Sequence, residues 1–133
     1  FCRPKVIEHN DEKIEIRIPL KRRTKNHLGS MYFGVLAVGA DITGAFLAMD
    51  PIQDSGRNIA LIFKDFKADF LKRPEGDVHF ICKDGLAIKE LVDKVTHSTE
   101  RHNYKLNIEA IVPTISTEVV AKFELTLSLK DKT

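Results

Sequence analysis

KNHLGSMYFGVLAVGADITGAFLAMD, Lys25 to Asp50, is the stretch whose reading decides the fold. It opens on the loop-formers Asn26, His27 and Gly29, and Ser30 stands where a helix N-cap belongs. The nineteen residues from Met31 to Met49 contain no proline and a single charge, Asp41. A run of that length passes the length test for a membrane span. Three glycines, a carboxylate in the middle and amphipathic segments on both sides argue instead for the core helix of a soluble domain. Pro51 is expected to end it at Asp50.

Gly34, Gly39 and Gly44 each cost about 1 kcal/mol relative to Ala inside a helix. The close approach of another backbone is the usual compensation. Gly34, Ala37, Asp41, Gly44 and Ala48 step by three and four, so they share one small-residue face with a carboxylate in its middle. Phe33, Leu36, Phe46, Leu47 and Met49 supply bulk elsewhere. The pattern predicts a helix embedded in a sheet, with Asp41 buried in a narrow, poorly hydrated crevice.

Outward from the helix the period changes to two. Val6 to His9 read as a short extended lead-in, and Ile14, Ile16, Ile18 and Leu20 alternate with Glu15 and Arg17 as a half-buried strand. Ile59 to Leu71 form a long strand whose apolar parity slips near Lys64–Asp65, which predicts a bulge or bend. After the KRPEGD turn (Lys72 to Asp77), Val78 to Lys83 are apolar on both parities, as in a strand buried on both faces or paired across an interface. Ile88, Leu91, Val92 and Val95 give a helical stripe behind Asp84 as N-cap. Tyr104 to Val112 and Val119 to Leu129 alternate as two closing strands. Short strand connections make the class α+β: one mostly antiparallel sheet around one apolar helix, in a single domain over residues 1–133.

Composition narrows the function. With 133 residues and 43% hydrophobic content the chain can build a real core, and a net charge of +2 is too small to argue for nucleic acid. Lys21, Arg22, Arg23 and Lys25 are the one basic cluster, read as a solvated strand end or as a greeting for an anionic ligand. Two cysteines, Cys2 and Cys82, imply no disulfide framework and favour a reducing, cytoplasmic setting. His97 and His102 lie five apart with no Cys or further His nearby, so no metal site is expected, and no G-x-S-x-G stretch is present.

The loop N-x-x-G, the Gly-rich helix with its Asp, and the strand end DFLKRPEGDV (Asp69 to Val78) together resemble the hotdog fold, and more narrowly the phenylacetate-pathway-type acyl-CoA thioesterases. That group carries a loop Asn, then Gly, then His-Gly-Gly, then Leu-Ala-Asp in the helix. The counterparts at matching spacing are Asn26, Gly29, Tyr32-Phe33-Gly34 and Gly39-Ala40-Asp41. The resemblance covers Lys13 to Leu129, and the helix between Asp84 and Thr99 is similar to a branch known only as a domain of unknown function. Tyr32 and Phe33 depart from the pattern, because they replace His and the first Gly.

The resemblance implies that Asp41 attacks the thioester carbonyl or activates water to do so. A desolvated carboxylate, its pKa raised, is a stronger base. The residues alone leave open an Asp satisfied by neighbouring donors. Asn26 is implied to orient the thioester or the water, against the alternative of a turn residue. The Phe33 and Gly34 amides, in the first turn, offer an oxyanion site from backbone alone. Tyr32 adds a donor or a packed aromatic. Lys72 and Arg73 meet coenzyme A phosphates or simply end a hairpin. The expected activity is hydrolysis of an acyl thioester to a free acid and coenzyme A, with no cofactor beyond the substrate's own coenzyme A. A non-catalytic acyl-thioester-binding hotdog module is the alternative, and a dehydratase ranks last for want of a His-Phe-Pro stretch. The expected partners are acyl-CoA or another acyl thioester and a second copy of the chain. That homodimer, paired again in a tetramer or not, joins along an open Val78–Lys83 edge, with no nucleic acid and no membrane.

Overall fold

Alternation writes the sheet: Ile14, Ile16 and Ile18 are fully buried, while Glu15 and Arg17 between them are half-buried. The computed structural model describes residues 2–133, with elements β1 (Lys5–His9), β2 (Ile14–Ile18), α1 (Phe33–Asp54), β3 (Ile59–Phe70), β4 (Val78–Cys82), α2 (Gly85–Thr96), β5 (His102–Ile111) and β6 (Val119–Asp131). All strand pairs are antiparallel and the sheet order is β1-β2-β4-β5-β6-β3. This is the hotdog fold, a sheet curved around one long helix.

Three expectations change. Val78–Cys82 is not an edge and is not buried on both faces: β4 lies between β2 and β5, with Val78, Phe80 and Cys82 buried on one face and His79 and Ile81 half-buried on the other. The open edges are β1 and the much longer β3. Ser30 is not the helix cap. Tyr32 holds that position with extended backbone and no side-chain cap bond, and Ser30 is buried with its Oγ unpartnered. Pro51 does not end the helix, which runs on to Asp54. Proline removes one amide donor and crowds the carbonyl four residues back. Here that falls in the last turn, where only three residues follow, and the Ser55 amide closes the end on the Pro51 carbonyl at 3.1 Å.

The bulge appears where the parity slips. Pairing of β3 with β6 shifts register between Phe63 and Phe66, and the Asp65 carboxylate accepts the Thr126 amide at 3.1 Å across the gap. On the inner face, α1 buries Val35, Leu36, Ala40, Leu47 and Ala48, and α2 packs beside it through Ile88, Leu91, Val92 and Val95. By length and composition α1 is apolar enough to cross a membrane, and here it is the helix on which the core is built. The close approach expected along α1 is made by side chains. A Cβ at Gly39 would collide with the Phe80 ring. Backbone contact is found at Gly85 instead, where α2 starts against the Asp11 carbonyl and its amide donates to Glu12 O at 3.0 Å. Asp84, at the head of α2, makes no capping bond; its carboxylate accepts the Asn107 amide at 2.8 Å and so ties α2 to β5.

Candidate functional site

The segment before α1 is a tied loop. The Asn26 side-chain oxygen accepts the amides of Leu28 and Ser30 at 2.9 and 3.1 Å, and the Asn26 amide donates to the Ser30 carbonyl at 2.6 Å. Asn26 Oδ1 is therefore committed to the turn, the alternative that residue type allows. Its Nδ2 has no partner among the described residues and remains as a donor. The Met31 amide reaches the Pro74 carbonyl at 3.0 Å, so the KRPEGD turn docks against the entry to α1. The Tyr32 amide reaches the Thr24 carbonyl at 3.2 Å.

These ties leave the first turn of α1 open. The amides of Val35 and Leu36 both turn back to the Tyr32 carbonyl, whereas those of Phe33 and Gly34 have no acceptor among the described residues. Two free N–H groups at the positive end of a 22-residue helix can receive an oxygen on which charge develops. Phe33 does not pack inward. It is 68% exposed, and its ring stacks on Phe70 of β3 with centroids 4.6 Å apart. Phe70 in turn meets the buried Phe123 edge-on at 6.2 Å. Tyr32 is half-buried and packs over Gly34, where a Cβ would lie 3.1 Å from its ring.

Asp41 lies mid-helix as expected, but on the exposed side rather than in a crevice. The small-residue face is split: Gly44 and Ala48 are buried, whereas Gly34, Val38, Asp41 and Met49 line an outward stripe. The physical reason is that α1 rests on the sheet with α2 on one flank and, among the described residues, no second helix on the other. Asp41 has no hydrogen-bond or ion-pair partner among the described residues. It also stands seven residues from Gly34 and eight from Phe33, about 10–12 Å along the axis. One carbonyl cannot touch both the amides and the carboxylate of the same helix.

The remaining candidates separate. Lys72 is paired with Glu118, while Arg73 is exposed and unpaired among the described residues. Sequence reading missed the exposed aromatic stack of Phe33 on Phe70. The DFLKRPEGD motif contains Phe70, but only the tertiary stack shows that its ring meets the head of the helix. It also missed Ser30 as a buried hydroxyl without a partner.

The family profile described as "Domain of unknown function (DUF4442)" matches residues 2–129. No curated protein matches significantly. Among solved structures, a protein of unknown function from Pseudomonas aeruginosa, described as a probable thioesterase, superposes with a TM-score of 0.84 at 24% identity, covering 98% of this chain and 84% of the other. A protein of unknown function from Chlorobaculum tepidum gives 0.84 at 12% identity, with 98% and 84% covered. A thioesterase from Haemophilus influenzae gives 0.72 at 15% identity, with 98% and 80% covered. Those likenesses show the hotdog fold, and the match over nearly the whole sequence shows that the chain belongs to the domain-of-unknown-function family DUF4442.

Proposed function

We propose that this chain is a thioesterase that hydrolyses an acyl thioester of coenzyme A in a site assembled from two copies. What supports this most is the pair of free amides at the head of α1, Phe33 and Gly34, with an unpaired carboxylate on the outward stripe of the same helix. The amides hold the carbonyl oxygen as it becomes an oxyanion. Since Asp41 of the same chain is about 10–12 Å away, the carboxylate that acts on that carbonyl comes from the partner copy. There it takes a proton from water, whose oxygen bonds to the carbonyl carbon. The carbon–sulfur bond then breaks, the protonated carboxyl gives that proton to the departing thiolate, and the free acid remains. If the carboxylate attacks the carbon itself, the carbon–sulfur bond breaks to leave a mixed anhydride and a thiolate that takes its proton from water. A second water then cleaves the anhydride to the free acid and the restored carboxylate. The exposed stack of Phe33 on Phe70 suits an apolar acyl group. Cys2 and Cys82 are both free and buried, in keeping with a reducing compartment such as the cytoplasm.

Asp41→Asn keeps shape and removes basicity, so turnover of the best acyl-CoA should fall about 10²–10⁴-fold with the fold intact. Phe33→Pro removes one oxyanion amide. Tyr32 already holds the extended backbone (φ −82°, ψ 161°) that a following proline needs, and the first helical position accepts proline. Phe33→Ala controls for the ring. Exchanging equal amounts of the Asp41→Asn and Phe33→Pro chains should restore about a quarter of the wild-type rate, because half of randomly paired dimers carry one intact site in two. No recovery would place both groups in one chain and refute the composite site. Acyl-CoA binding without turnover, unchanged in Asp41→Asn, would make the protein an acyl-binding module instead.

A further inference from the structure

Away from the thioester site, a cavity of about 260 Å³ is lined by Cys2, Arg3, Pro19, Lys21, Arg22, Arg23 and Thr24. Four of its seven lining residues are cationic and none is acidic. That is unusual in a chain with 19 acidic residues against 21 basic ones. None of the four has an ion-pair partner among the described residues. The turn that carries three of them is held rigid. The buried Thr24 hydroxyl donates to the Pro19 carbonyl at 2.8 Å and accepts the Lys21 amide at 2.8 Å, and the amides of Thr24 and Lys25 close on the Lys21 carbonyl. The amides of Arg22 and Arg23 are left without acceptors among the described residues. Like charges gathered at one concavity repel each other unless an anion sits between them. Guanidinium forks together with free amides are the donor set that suits phosphate oxygens.

We propose that this cavity binds the phosphate-bearing nucleotide end of the coenzyme A carrier, which deepens the thioesterase reading and rests on it for the identity of the ligand. The turn adjoins the first turn of α1 through the Thr24 carbonyl and the Tyr32 amide, 3.2 Å apart. The phosphates and the thioester would thus lie at two ends of one surface, joined by the pantetheine arm. Lys72, the lysine picked by the DFLKRPEGD resemblance, is neutralised by Glu118. The cavity is concave and small, which favours a compact polyanion over the broad acidic face of a carrier protein.

The test uses Arg22→Glu, Arg23→Glu and the double variant, all at exposed positions, with Lys132→Glu as a charge control elsewhere. Calorimetry with coenzyme A, dephospho-coenzyme A and inorganic phosphate measures binding directly. The KM is followed for an acyl-CoA and for the same acyl group on N-acetylcysteamine, which has no phosphate. Each lost charged contact is expected to raise Kd and the acyl-CoA KM about tenfold, with kcat retained and the loss confined to acyl-CoA. The idea is overturned if the double variant binds coenzyme A as the wild type does, if the wild type binds none, or if both thioesters suffer equally. It is also overturned if only an acyl-carrier-protein substrate is affected, which would make the cavity part of a protein-docking face. Should no thioester be turned over at all, the hydrolase reading fails, while loss of coenzyme A binding in the double variant would still uphold the site.

Discussion

Helix α1 has two flanks, and the chain finishes them differently. On one side α2 lies against it with Ile88, Leu91, Val92 and Val95 buried, so a second helix from the same chain covers the core. On the other side lies β3, twelve residues long at the end of the sheet, with Ile62, Phe66 and Phe70 exposed and the outward stripe of α1 beside it. Phe33 stacks on Phe70 and Phe63 lies close under Gly44, so β3 meets the helix at these two points. A long apolar edge with free ladder groups invites another strand. The closed flank keeps the monomer folded; the open flank is where a second copy is placed in the proposed enzyme.

That contrast can be broken from either side. The largest effect is expected on the closed flank. Ile88→Ala deletes a fully buried side chain and should cost about 2–5 kcal/mol in denaturant melts, while self-association of the folded protein is unchanged in light scattering. A loss of association with little loss of stability would reverse the roles assigned to the two flanks. On the open flank, Ile62→Lys puts a charge on the β3 edge at a half-exposed site. Self-association should weaken by about tenfold or more, with the monomer's stability changed by under about 0.5 kcal/mol. Sedimentation at several concentrations reads this, and an unaltered dimer would move the interface off β3.

The smallest effect belongs to the closed core. Cys82 is fully buried on β4, and burial pushes its thiol from 9.0 up to about 12. Between those values only the unfolded chain releases the proton, so stability falls as pH rises above about 9, by at most roughly 1.4 kcal/mol per pH unit. Cys82→Ala should remove this slope from melts recorded between pH 8 and 10. An unchanged slope would assign the alkaline loss to another group.

Much of this was legible in periodicity. The strand alternation, the α2 stripe and the slip at Lys64–Asp65 depend on side chains meeting one covered face, and a covered face imprints its period on the sequence. What failed depended on position rather than period. Val78–Cys82 is apolar on both parities in a central strand as it would be at an interface, so only strand order separates the two. Pro51 was read by its chemistry without regard to how near the end of the helix it falls. Asp41 sits among small residues, a composition shared by a crevice and by a helix face awaiting a partner. The site was legible as a set of residue types through the family pattern. The separation of Asp41 from the Phe33 and Gly34 amides needed the helix axis, and the Arg3 cavity needed residues far apart in sequence to meet.

The bulge at Lys64–Asp65 has a consequence for how this chain tolerates length changes. It acts on side-chain parity as an inserted base acts on a reading frame: Leu61 and Phe63 stand opposite Leu129 and Leu127, then the frame shifts, and Phe66, Ala68 and Phe70 stand opposite Leu125, Phe123 and Ala121. Deleting one of Lys64 and Asp65 would remove the extra residue and leave Leu61, Phe63, Phe66, Ala68 and Phe70 in strict alternation on one face, with Lys67 and Asp69 still turned away. A single residue lost or gained beyond the bulge would instead turn every later side chain of β3 to the other face. The bulge is thus where the β3–β6 ladder can lose one residue and keep its pattern.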